Sequence, residues 1–186
     1  MKRGFDFVVS LLGLIALLPV VLMVWVAVRL DSKGPGIFWS ERFGQDGATF
    51  MMPKFRSMKI DAPQVPTHLL GDGRSHLTRI GGFLRKTSLD ELPQLYSVLV
   101  GDMSLVGPRP ALFNQHDLME MRAQAGVDRL RPGITGWAQI NGRDTLPLSE
   151  KVRYEAEYLV RRSFAFDLHI LLRTAIRVVG RSGIAH

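Results

Sequence analysis

Two carboxylates stand side by side at Asp90 and Glu91, in TSLDELPQL at residues 87–95, directly after Arg85-Lys86 and just before a proline. Adjacent carboxylates suit two kinds of work. Ser88-Leu89-Asp90-Glu91 fits the S-x-x-E pattern of a capping box, in which Ser88 accepts from the Glu91 amide and Glu91 reaches back to the Ser88 amide. Asp90 in the first turn would also favour the helix dipole, by roughly 0.3–1 kcal/mol. Alternatively, the pair divides a phosphoryl transfer, one carboxylate attacking phosphorus and the other holding Mg²⁺, a cation that commonly bridges phosphate and carboxylate. That reading requires cations, because a carboxylate approaching a diphosphate meets like charge. Arg85 lies five residues before Asp90, Lys54 sits at the exit of an expected strand, and Arg109 lies in an expected loop. Spacing alone leaves cap and reaction centre both open.

The elements that must position these groups begin with composition. The chain has 186 residues, enough for one domain with a buried core. Lys and Arg outnumber Asp and Glu by 24 to 17, a net charge of +7, which implies an anionic partner: nucleic acid, lipid headgroups or a phosphorylated substrate. Without a recognisable groove-reading motif, nucleic acid is not expected. There is no cysteine, so disulfides and thiol chemistry are excluded. The five histidines, His68, His76, His116, His169 and His186, have no metal-ligand spacing.

Residues 7–28, FVVSLLGLIALLPVVLMVWVAV, carry no charge over 22 positions and could cross a hydrocarbon core as a helix. The run exceeds the apolar region of a signal peptide and lacks a small-residue cleavage site. Pro19 near its middle predicts a kink or break. Basic residues flank both ends, Lys2 and Arg3 before and Arg29, Lys33 and Arg42 after. If basic flanks stay cytoplasmic, a helix-break-helix that enters and leaves one leaflet satisfies both observations. A kinked spanning helix is the alternative.

Beyond it, short apolar-aromatic runs around Asp46-Gly47 predict a hairpin ending near Met58. Residues 61–75 read as a loop. A helix is expected from His76, with Leu77, Ile80, Phe83 and Leu84 on one face and Gly81-Gly82 weakening it. A second helix should open at the carboxylate pair, followed by the loop GDMSLVGPRP and a polar helix over 111–125. RLRPGITGWAQINGR at 129–143 offers amides and arginines to a phosphate or base, or forms an irregular connection. At the C-terminal end, Leu168, Leu171, Leu172, Ala175, Ile176 and Val179 share a helical face, with Arg173, Arg177 and Arg181 on another. That helix either lies in a headgroup zone or packs on the core with its basic face solvated.

KFRSM at 54–58, SLDELPQL at 88–95, GDMSLVGPRP at 101–110 and RPGITGWAQINGR at 131–143, in this order and with the apolar N-terminal run, make nearly the whole chain resemble the bacterial sugar transferase family of small monotopic phosphoglycosyl transferases. The resemblance implies transfer of a sugar 1-phosphate from a UDP-sugar to a polyprenyl (undecaprenyl) phosphate with release of UMP. This is a first membrane step of surface glycoconjugate assembly. By motif position Asp90 would be the nucleophile, forming a phosphosugar-aspartate, and Glu91 the carboxylate for Mg²⁺. Lys54, Arg85 and Arg109 would contact phosphate, and Gln139, Asn141 and Arg143 would contribute to substrate binding.

The implied fold is α+β and mostly helical. A re-entrant membrane helix over 1–30, broken near Pro19, would precede a catalytic domain over 31–186 with a β-hairpin and amphipathic interfacial helices. The implied location is the cytoplasmic face of the bacterial inner membrane, in contact with anionic phospholipid. A homodimer is left open. The chain departs from the family pattern at Leu18, where a serine usually precedes the proline, and at Ser40, where glutamine is common. Two rivals remain: a glycosyl transferase releasing UDP, and a non-catalytic module docking on anionic membranes.

Overall fold

The computed structural model describes residues 2–63, 73–142 and 146–179. Helix α1 runs from Lys2 to Asp31 with Pro19 inside it. Of the kink or break expected at Pro19, the break is therefore absent: a proline removes one amide donor and can bend a helix without ending it. By length and composition α1 could cross a membrane, with about 45 Å of axial rise.

One stripe of α1 lies against the rest of the protein along its length. Asp6, Ser10, Val24 and Val28 are buried, Leu95 touches Gly13, and Val20 and Val21 pack on a cluster of Phe55 and Leu84. The remaining surface, including Leu12, Ile15, Leu18, Leu22 and Met23, is exposed. Both ends are fastened. At the first, Lys2 pairs with Asp167 at 2.8 Å, Arg3 donates to the carbonyls of Val98 and Leu99, and Ser104 donates to Asp6 at 2.7 Å. At the second, Arg56 donates to the carbonyls of Ser32 and Lys33.

The expected hairpin forms: β1 (Ile37–Phe43) pairs antiparallel with β2 (Thr49–Phe55), with Phe38 opposite Lys54 and Arg42 opposite Phe50. Alternation puts Ser40, Arg42, Met52 and Lys54 on one face. The helix expected from His76 starts later, as α2 at Gly81–Thr87, because Leu77 forms a β-bridge with Met58. Gly81 is required there: a Cβ would stand 1.9 Å from the Ser57 carbonyl oxygen.

After α3 (Gln94–Val100), β3 (Ser104–Val106) pairs in parallel with β4 (Gly133–Thr135). Between them α4 (His116–Gln124) occupies part of the expected polar helix. The close approach of two loops fixes this second sheet. A Cβ on Gly133 would meet the Gly107 nitrogen at 2.1 Å, and one on Gly136 the Gly107 oxygen at 2.1 Å. GDMSLVGPRP and RPGITGWAQINGR therefore meet backbone to backbone.

Helix α5 (Leu148–Arg161) escaped the sequence reading, and α6 (Phe164–Val179) follows it. The core gathers Met52, Val98, Met103, Val106, Val127, Ile140, Tyr158, Phe166 and Ile170. The face of α6 that meets it is Phe166, Asp167 and Ile170, while Leu168, Leu172 and Ile176 of the anticipated apolar face are exposed. Of the two arrangements left open for this face, packing on the core holds, among the described residues, for Leu171 alone: α6 presents mainly another stripe to the core and leaves most of the anticipated one uncovered. Arg181 and most of the loop at 61–75 lie outside the described residues.

Candidate active site

The carboxylate pair does not open a helix. Ser88 ends α2 in the left-handed region (φ 56°) with no capping hydrogen bond from its side chain, and Leu89–Glu91 form a single 3₁₀ turn. Pro93 then precedes α3. The capping box, one of the two readings that S-x-x-E left open, is therefore absent. A left-handed Ser88 cannot present its hydroxyl in the extended geometry of an N-cap, and Glu91 is engaged elsewhere.

Glu91 turns to cations. Its Oε1 lies 3.4 Å from Lys54 Nζ and 3.1 Å from Arg109 Nη2. Asp90 is 8% exposed, and burial, helped by the negative charge of Glu91, raises its pKa from 3.8 to about 6. Lys54, Arg85 and Arg109 act against that shift without overcoming it. Burial likewise pushes the Lys54 ammonium down, opposed by Glu91 and aided by Arg109 and Arg42. The site thus holds like charges of both signs in a poorly solvated space, where an incoming phosphate would interact strongly.

Five of the eight anticipated residues fall around this turn. Asp90, Glu91, Lys54 and Arg109 converge, and Arg85 on α2 bears electrostatically on Asp90. Gln139 lines a cleft of about 340 Å³ together with Glu91 and Arg109, and both polar atoms of its amide are buried without a hydrogen-bond partner among the described residues. Asn141 is not among the residues lining that cleft; its side chain donates to the Trp137 carbonyl at 2.8 Å and holds the local turn. Arg143 lies outside the described residues.

The sequence reading missed Arg42 and Gln94, which line a small recess with Lys54 and Arg109. Arg42 donates to the Ser40 hydroxyl at 3.0 Å, and burial and Arg109 lower its pKa to about 10. A signal for Arg42 existed: once the turn is placed at Asp46-Gly47, strand alternation gives it the face of Lys54. Ser40, the departure noted above, is thereby seen to orient this arginine.

The cleft is amphiphilic. Leu17 of α1, Leu92, Leu95, Ile134, Ile140 and Val178 supply apolar wall, and Arg177 and Arg109 supply positive charge. Glu91 is an oxygen donor of the kind that would suit Mg²⁺, which commonly takes only one or two protein carboxylates. Among the described residues no group of three or more His, Cys, Asp or Glu side chains forms a protein-only cage.

Partly buried cations thus surround a carboxylate pair beside an amphiphilic cleft, one wall of which is Leu17 of a long helix with an exposed apolar face. The chain belongs to the bacterial sugar transferase family, whose sequence profile matches residues 1–181. It is 40% identical over 184 residues to the UDP-glucose:undecaprenyl-phosphate glucose-1-phosphate transferase of Escherichia coli K12, covering 95% of this chain and 40% of that protein. It is 36% identical over 201 residues to the undecaprenyl-phosphate galactose phosphotransferase of Salmonella typhimurium, covering 98% and 41%. The uncharacterized sugar transferase EpsL of Bacillus subtilis is 40% identical over 184 residues, covering 99% and 90%. The matches span about 38–42% of the length of the first curated relatives.

Proposed function

We propose that this protein transfers a sugar 1-phosphate from a UDP-sugar to a polyprenyl phosphate, releasing UMP. The observation that carries the reading is the convergence of Lys54 and Arg109 on Glu91, next to buried Asp90, in a cleft whose far wall includes Leu17 of α1. The names of the E. coli and Salmonella relatives support the substrate classes.

In the first step an Asp90 oxygen forms a bond to the β-phosphorus as the bond from that phosphorus to the bridging oxygen breaks, and UMP leaves. In the second, an oxygen of the acceptor phosphate attacks the same phosphorus and Asp90 departs as carboxylate. With a pKa of about 6, Asp90 is ionised at neutral pH yet held in surroundings that solvate it poorly, which favours a nucleophile. A diphosphate arriving at Lys54 and Arg109 competes with Glu91 for both. The Glu91 carboxylate so released would be the residue to hold Mg²⁺, a cation that takes oxygen ligands. When bound, that ion would neutralise charge on the leaving phosphate.

The acceptor's apolar chain calls for a site at the membrane surface. Both ends of α1 are fastened to the same domain, a fact that favours an arrangement with both ends on one side of the bilayer. The exposed apolar stripe of α6 favours an interfacial position for that helix. The cytoplasmic face of the inner membrane is the side on which UDP-sugars would be met.

The test is a nucleotide-release screen of the full chain over UDP-sugars with undecaprenyl phosphate. UMP is the expected product, with a sugar-phosphate adduct on Asp90 visible by intact mass spectrometry when acceptor is withheld. Release of UDP would mean transfer of the sugar alone; vesicle binding with no nucleotide released would leave only a membrane-docking module. Either outcome overturns the proposal.

A further inference from the structure

Arg109 reaches Glu91 from a loop, and the loop is held by groups that do not touch the cleft. Arg122 of α4 donates from Nε to Glu155 Oε2 at 2.8 Å and from Nη2 to Glu155 Oε1 at 2.5 Å. The same Nη2 donates to the backbone carbonyl of Arg109 at 2.9 Å. Farther along the loop, Phe43 donates to the Ala111 carbonyl at 2.9 Å. A guanidinium thus stands between a carboxylate on α5 and the main chain of a cation that faces the cleft.

Arg122 is 4% exposed and Glu155 2%. Stability does not by itself explain an ion pair in such a place, since well-packed apolar side chains of similar volume often serve as well or better. What apolar residues could not supply is the donor to the Arg109 carbonyl. Without it that carbonyl would have to find another partner, and the loop would shift. A side chain carried by the shifted backbone moves with it, and a misplacement of about 1 Å at a reacting group can cost on the order of 10²-fold in rate.

We propose that Arg122, oriented by Glu155, is a positioning residue that sets where the Arg109 guanidinium meets the substrate diphosphate. The inference rests on the reading of Arg109 as a phosphate-contacting cation. Neither Arg122 nor Glu155 touches substrate; both act through Arg109.

The test uses the full chain in lipid nanodiscs, UDP as the probe of the diphosphate site, and UMP release for turnover. Replacing the pair together, Arg122→Leu with Glu155→Leu, removes both charges and keeps an apolar contact. The expected result is an unchanged or higher Tm with UDP affinity and kcat/KM reduced about 10–100-fold, the range typical of groups that orient a binding residue. Arg122→Lys, which keeps the charge but loses the fork that spans Glu155 and the carbonyl, should show the same loss and covers the case in which the double variant fails to fold. In an Arg109→Ala background either replacement should add less than about two-fold, because the residue they act through is gone.

Wild-type UDP affinity in a folded pair variant, or losses that multiply with Arg109→Ala, would overturn the positioning role. If Arg109→Ala alone changes neither UDP affinity nor UMP release, the reading of Arg109 fails instead.

Discussion

Glu155 and Glu91 each pair with an arginine far along the chain, and the two pairs are built differently. Glu155 gives both oxygens to one guanidinium, and the two side chains are 2% and 5% exposed. Glu91 brings its Oε1 to Lys54 and to Arg109 together, at side-chain exposures of 14%, 17% and 30%. The first pair is geometrically complete and sealed. In the second, two cations share one acceptor at the mouth of a cleft, so an anion with more oxygens can take them over. A fork-to-fork pair fixes structure, whereas a shared acceptor can be exchanged for a ligand.

Breaking the site beside Glu91 should have the largest effect. Asp90→Asn should bring UMP release to background and abolish the mass adduct, and it should raise Tm. The sign follows from the raised pKa: between the ordinary 3.8 and about 6 the unfolded chain gives up its proton first, so stability falls as pH rises through that window, and the deficit is complete above it. An amide has no such cost. Next, Arg109→Ala should lower kcat/KM by about 10²–10³-fold, the usual scale for removing one preorganised electrostatic contact.

The pairs then separate in stability. Glu155→Gln leaves a buried guanidinium without its counter-charge and should cost about 3–5 kcal/mol in denaturant unfolding. Glu91→Gln should cost less stability and more turnover, and the reverse order would erase the contrast. A smaller effect is the acid limb: kcat/KM should fall about ten-fold per unit below an apparent pKa of about 6 and lose that limb if Asp90 is not the nucleophile. The smallest change concerns the backbone. Ser88→Gly should relieve the left-handed conformation and stabilise the chain by about 1 kcal/mol, read as a rise in Tm.

The same contrast marks what was legible in the sequence. Asp90, Glu91, Lys54, Arg85 and Arg109 were readable through ordered motifs, and the hairpin through its turn at Asp46-Gly47. The Arg122–Glu155 pair was not, because its partners lie 33 residues apart on two helices and neither belongs to a motif. Local rules misled at Ser88, where S-x-x-E spelled a capping box and tertiary contacts drew Glu91 to Lys54 and Arg109 instead. Gly81 looked like a weak point in a helix; its lack of a side chain is what lets α2 start against Ser57. Helical spacing in α6 identified an apolar face without saying that the core would mainly use a different one.

The fastening of α1 at both ends has a mechanical consequence. A helix held at one end would be a leash, letting the domain swing over a hemisphere of orientations. Held at Lys2, Arg3 and Asp6 and again at Ser32 and Lys33, it acts as a keel. On the proposed membrane seating, the mouth beside Asp90 would keep one height and one heading over the bilayer. The search for an acceptor phosphate would then become a search in two dimensions.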